Sequence, residues 1–95
     1  MTKEEKDLYK SVLETWGLQG QIYMVIEESS ELINALCKLK RGRVDLSEVI
    51  TELADVQIMI EQMLVAFNCE EDFEKEKAFK LNRLKGLLKK VKREN

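Results

Sequence analysis

The sequence predicts an all-α fold on three grounds. Proline is absent and glycine occurs only four times in 95 residues, so little punctuates the chain sharply enough to make hairpins. Apolar residues make up 44% and charged residues 36%, which excludes collagen-like, proline-rich, linker-like and disordered chains. The apolar residues also recur at helical spacing rather than in alternation. At 11.1 kDa the chain is a single domain spanning residues 1–95, with no room for a second core.

Four helical segments follow in order. The first runs from about Lys3 to Trp16. Thr2 is its expected N-cap, Glu5 completes a capping box, and Leu8, Val12, Leu13 and Trp16 form its apolar stripe. Gly17 and Gly20 mark a bend or short break. The second helix runs from about Gln21 to Lys40 and ends in a basic turn before Gly42, as the helix dipole favours. Arg41-Gly42-Arg43-Val44 is the clearest loop. The third begins near Asp45 or Ser47, where Asp45 and Glu48 have capping-box spacing, and continues to about Phe67. Asn68-Cys69 makes the last break, and the fourth helix fills about Glu70 to Lys92.

The third helix carries apolar residues on two sides. Val49, Leu53, Val56, Ile60, Met63, Leu64 and Phe67 form one broad face; Ile50, Ala54, Ile58 and Val65 form a second, nearly opposite. In so small a chain one of these faces must meet something outside the monomer. The expectation is a bundle-type fold, oligomeric through its central helices, as a homodimer or homotetramer.

No uncharged run reaches the roughly 20 residues needed to cross a bilayer. Charge begins at Lys3, unlike the apolar start of a secretory signal. The expectation is therefore a cytoplasmic protein without a membrane partner, whose Cys37 and Cys69 stay reduced. The net charge of −2 hides an asymmetry: residues 1–74 carry seven basic and sixteen acidic side chains, residues 75–95 nine and two. A basic tail suits nucleic acid, an acidic surface, or a phosphate-binding wall opposite an acidic metal site. The acidic start and basic end of the fourth helix also suit its dipole.

The acids fall where apolar residues are expected. Glu28 borders the Val25, Leu32, Leu36 stripe of the second helix, and Glu31 follows at i+3. On the third helix Glu52 projects inside the apolar arc, and Asp55 follows at i+3. Four carboxylates turned into a bundle repel one another and stay ionised only when a cation neutralises them. Hard oxygen ligands select Mg²⁺, with Mn²⁺ as a substitute, and the absence of histidine removes most zinc and imidazole chemistry. ExxE spacing is common on solvated helix faces, but two such pairs bordering the cores of consecutive helices are less so. On the fourth helix, Lys77 and Lys80 interrupt the stripe of Phe73, Leu84, Leu87, Leu88 and Val91, with Arg83 at its edge. They are either lysines snorkelling from an ordinary amphipathic helix or a basic wall for a polyphosphate.

The run Glu27-Glu28-Ser29-Ser30-Glu31-Leu32 followed by Glu52-Leu53-Ala54-Asp55-Val56, with a spacer of twenty residues from Leu32 to Thr51, resembles the ExxE–spacer–ExxD signature of the MazG-like nucleoside triphosphate pyrophosphohydrolases. These belong to the all-α NTP pyrophosphatase superfamily, with dimeric dUTPases and dCTP pyrophosphatases. Lys80-Leu81-Asn82-Arg83 is similar to the family's K-[FL]-x-R segment, and Trp16-Gly17 with Gln21 to the start of its small members. The resemblance implies Mg²⁺-dependent cleavage of an NTP or dNTP between the α and β phosphates, as nucleotide-pool house-cleaning. It implies Glu28, Glu31, Glu52 and Asp55 as metal ligands, with one of these acids or Glu27 activating the water. Lys80 and Arg83, assisted by Lys77, would hold the polyphosphate. Trp16 or Tyr23 would stack on the base and Gln21 would bond its edge; for Trp16 the favoured reading is a core anchor between the first two helices. Lys77 stands where many relatives carry asparagine, and a single motif set replaces the tandem layout of longer members. The competing reading is an oligomeric interaction module, antitoxin- or adaptor-like, that binds nucleic acid through the basic tail; the pyrophosphohydrolase reading requires none.

Overall fold

In a computed structural model, residues 1–94 are described. They form four α-helices: α1 (Lys3–Trp16), α2 (Leu18–Lys40), α3 (Leu46–Ala66) and α4 (Glu70–Glu94). No strand occurs among the described residues. No helix among them is long and apolar enough to cross a membrane.

The ends of the helices follow local chemistry. Thr2 accepts from the Glu5 amide at 3.1 Å while the Glu5 carboxylate accepts from the Thr2 amide at 2.7 Å, which completes the expected capping box. At the end of α2, Gly42 takes φ +68°, and the Gly42 and Arg43 amides donate back to Leu39 and Lys38. At the end of α3, Asn68 takes φ +49°, and its amide and that of Cys69 donate to Val65 and Leu64. Both are Schellman closures, which need a left-handed residue that glycine or asparagine supplies at least cost.

Four local expectations are corrected. The break between α1 and α2 is Gly17 alone, at φ +82° and ψ 158°, a conformation open essentially to glycine. Gly20 lies inside α2, because one such residue suffices to redirect the chain. Asp45 stands at the N-cap of α3 but makes no capping bond; its carboxylate instead accepts from the Ser47 hydroxyl. Trp16 is no anchor between helices, being 67% exposed. On α1 the buried side chain is Tyr9 rather than Leu8, and its hydroxyl donates to Glu61 on α3 at 2.6 Å.

α2 and α3 fold back on each other and make the most extensive packing in the chain, with α1 laid against α3. Residues buried or half-buried on α2 include Gln21, Val25, Glu28, Leu32, Ala35 and Leu39; on α3 they include Val49, Glu52, Val56, Met59, Met63 and Ala66. Each set steps by three and four, the spacing of a coiled-coil seam. The broad face expected on α3 is split by this pairing. Val49 and Val56 turn inward, whereas Leu53, Ile60 and Phe67 stay exposed, as do Ile50 and Ile58 of the second face.

α4 packs only on α3, contains no buried residue, and is tied to α1 by a Lys6–Glu70 ion pair at 2.9 Å. Its stripe of Leu84, Leu87, Leu88 and Val91 is about half exposed throughout. The radius of gyration is 16.8 Å, against about 12–13 Å for a compact chain of this length.

Candidate metal centre and adjoining cavity

Glu28 enters the interior because it shares the α2 seam with Val25 and Leu32. Glu52 does so because it shares the α3 seam with Val49 and Val56. The α2–α3 hairpin therefore aims one carboxylate from each helix at the other. Glu31, a turn after Glu28, joins them from the exposed margin. One oxygen from each of Glu28, Glu31 and Glu52 lies within 4.8 Å of the other two. Asp55 is half-buried and stands outside that tight trio, yet its charge acts on both Glu28 and Glu52. Glu27 is exposed.

The electrostatics are those of an uncompensated anionic pocket. Oε2 of Glu28 and Oε2 of Glu52 are buried and have no hydrogen-bond partner. Among the described residues, no lysine or arginine forms an ion pair with any of the four acids. Burial raises Glu28 above the ordinary glutamate range, and the charges of Glu31, Asp55 and Glu52 push it further. Glu52 is raised for the same reasons: burial first, then Glu31 and Asp55. Three hard oxygen donors converging without a cationic side chain form a donor set that fits a hard divalent ion.

This arrangement fixes how metal-free stability responds to pH. A carboxyl raised in the folded state binds its proton more tightly there than in the unfolded chain. Its contribution is therefore fully present below 4.5, the ordinary glutamate value, and is lost as pH rises through the raised values. A divalent ion held by these acids would take the ionised form, so its stabilising effect would grow over the same window. At a hundredfold excess over its dissociation constant such an ion would add about 2.7 kcal/mol, a rise of roughly 13 °C in melting temperature for a chain of this size. Thermal melts with EDTA or Mg²⁺, compared between a pH below the ordinary glutamate value of 4.5 and neutral pH, check this. An equal Mg²⁺ response at both would contradict it.

Beside the acids lies a cavity of about 550 Å³, lined by Val12 and Trp16 of α1, Gly20, Gln21 and Met24 of α2, and Met59 and Gln62 of α3. Met24 precedes Glu28 by one turn and Met59 follows Asp55 by one turn, so the cavity continues along the same two helices. Trp16 and Gln21, both read from the sequence as base contacts, line this cavity; Tyr23 is 71% exposed and is not among its lining residues. Gln62 was not identified from the sequence, although a glutamine one turn after Met59 on the buried side of α3 was the available signal.

The basic residues lie elsewhere in the chain. Lys80 forms an ion pair with Glu76 of its own helix at 3.8 Å. The side chains that share its surface hollows, including those around Arg83, all belong to α4. Lys77 lies nearer the body of the protein, in a groove with Gln57, Ile60 and Glu61 of α3. Within one chain, then, the acids come together with Trp16 and Gln21 nearby, and Lys80 and Arg83 do not join them.

Comparison with protein-family models, curated proteins and solved structures finds no match to this chain.

Proposed function

We propose that the protein is a Mg²⁺-dependent nucleoside triphosphate pyrophosphohydrolase of the MazG-like kind that its double acidic motif resembles. It cleaves an NTP or dNTP between the α and β phosphates and acts as a homodimer or homotetramer. The observation that carries this reading is the pair of buried, unpartnered carboxylate oxygens, on Glu28 and Glu52, facing each other from two helices beside Glu31. Burying two anionic oxygens without a donor is costly, and a divalent ion removes that cost.

Glu28, Glu31 and Glu52 would hold the ion, with Asp55 adding charge from the adjacent turn. Mg²⁺ held there would neutralise charge on the phosphates and lower the pKa of water. Either Asp55 or Glu27, both outside the trio, orients the attacking water and accepts its proton as the water oxygen bonds the α-phosphorus. The bond from that phosphorus to the bridging oxygen breaks, and pyrophosphate leaves. Lys80 and Arg83, which do not join the acids within one chain, bind the β and γ phosphates from another copy in the oligomer, as a point charge and a fork respectively.

A panel of NTPs and dNTPs with Mg²⁺, read out as pyrophosphate, tests the reading. Turnover that EDTA abolishes is expected for at least one nucleotide; none with any would end it. The alternative, nucleic-acid binding through α4, draws on that helix's exposure and basic charge. It predicts affinity that falls steeply with salt and needs no Mg²⁺.

A further inference from the structure

We propose that the groove between α3 and α4 binds a free apolar α-amino acid, its carboxylate on Lys77 and its ammonium on Glu61. The groove holds about 300 Å³, at the small end of the roughly 300–1,000 Å³ of small-molecule sites. It is separate from the acidic trio. Glu61 follows Glu52 by nine residues, about two and a half turns, and so lies on the opposite side of α3.

Both charges are open to a ligand. Other cations of α4 find acids at i−4, Lys75 with Glu71 and Lys80 with Glu76. Lys77 has Phe73 and Leu81 four residues away on either side, and among the described residues it forms no ion pair, with Glu74 at i−3 or any other acid. Glu61 is half-buried. Its Oε1 accepts from the Tyr9 hydroxyl at 2.6 Å, which fixes the side chain, while its Oε2 accepts only a 3.4 Å bond from Gln57. Ile60, Leu64 and Phe73 supply the apolar surface of the groove. A simple anion meets Glu61 and Glu70 there, a simple cation meets Lys77, and an uncharged molecule leaves both charges bare. A small zwitterion with an aliphatic or aromatic body answers all three features. The site joins α3 to α4, which buries no residue of its own and is tied to α1 by the Lys6–Glu70 pair. An amino acid bound there fixes the angle of the helix that carries Lys80 and Arg83, and so regulates turnover. That consequence rests on the pyrophosphohydrolase reading; the site itself does not.

Calorimetric titration of the full chain, in EDTA and without nucleotide, tests the site. The probes are L-leucine and L-phenylalanine, each as the free amino acid, the amide and the N-acetyl form. Saturable binding of at least one free amino acid is expected, with its amide and N-acetyl forms each about fivefold weaker, the scale of one partly exposed ion pair. Lys77→Met keeps the apolar stem at an exposed position that the fold tolerates. It should bring the free amino acid down to the level of its amide and leave the amide unchanged. Glu61→Gln keeps an acceptor for Tyr9 and should do the same relative to the N-acetyl form. No saturation by either amino acid, or a preference that both variants leave intact, overturns the site. An amide that binds as well as the free amino acid also overturns it, and points to the first residue of a peptide instead. Binding with the expected Lys77 effect, but no hydrolysis in the NTP panel, upholds the site and ends the enzyme reading. Hydrolysis without binding overturns the site and leaves the enzyme standing.

Discussion

Glu52→Gln is expected to reduce pyrophosphate release about 10³-fold, the consequence of losing several kcal/mol of charge stabilisation at the transferred phosphate. The same substitution should raise the melting temperature of the metal-free protein. These two effects rarely coincide, because an ordinary core substitution lowers stability and activity together. Here the carboxylate is half-buried, its Oε2 lacks a partner, and Glu31 and Asp55 oppose its ionisation. The amide keeps the shape and removes the repulsion. Its cost appears only when the ion is needed, so Mg²⁺ should no longer raise the melting temperature of the variant. Glu74→Gln, on the exposed α4 surface, makes the same change in formal charge and should alter neither property. Full Mg²⁺-dependent turnover in Glu52→Gln would remove the trio from the mechanism.

The sequence made these acids visible for a physical reason. A helix has one period, so a glutamate in phase with valines must share their environment. Glu52 was legible in this way, and so were the four helices, the Thr2 capping box and the Gly42 closure. The order of burial was less so. Period gives an angle around the axis but not which of two neighbouring arcs meets a partner. On α3, apolar residues fill two arcs, and the seam of α2 selected the one through Val49, Val56 and Met59, leaving Leu53 and Ile60 outside. Tyr9, not singled out in the sequence, is buried in place of Leu8 because a hydroxyl able to reach Glu61 lets tyrosine be buried at little polar cost, while Trp16, expected as an anchor, lines the cavity instead. Gln62 went unread because a polar residue on a core face shows which cavity it lines only once the helices are packed.

The surface area bears on assembly. The chain exposes 7679 Å², whereas a compact monomer of 11.1 kDa exposes about 5,700 Å². The excess, roughly 2,000 Å² per chain, is in the range that permanent oligomers bury. Much of it is apolar: Ile50, Leu53, Ile58 and Ile60 on α3, and Leu84, Leu87, Leu88 and Val91 on α4. α4 also repeats the pattern of the central helices, since Phe73, Lys77, Lys80, Leu84, Leu87 and Val91 step by four and three. Its two lysines occupy seam positions just as Glu28 and Glu52 do in theirs. A basic seam that buries nothing within its own chain complements an α2–α3 seam whose carboxylates have no cationic partner there.

Mixing two inactive variants decides whether the basic residues act on another chain's acids. Lys80→Ala keeps the acids and loses the phosphate contact; Glu52→Gln keeps Lys80 and loses the ion. If Lys80 serves the acids of its partner, a mixed dimer holds one site with both defects and one with neither. Random exchange makes half the dimers mixed, so activity should return to about one quarter of the wild-type value per chain, against near zero for either variant alone; this is combinatorial counting over a closed two-fold dimer. If Lys80 serves its own chain, every site in every dimer keeps a defect and mixing restores nothing. Denaturing and refolding the variants together ensures exchange, and wild-type protein treated alike sets the scale. The test reads only the placement of one lysine relative to one glutamate. Complementation would explain why α4, which carries the basic charge of the chain, buries none of its own residues. Its failure in a mixture shown to exchange would return Lys80 to the surface role that its ion pair with Glu76 already describes.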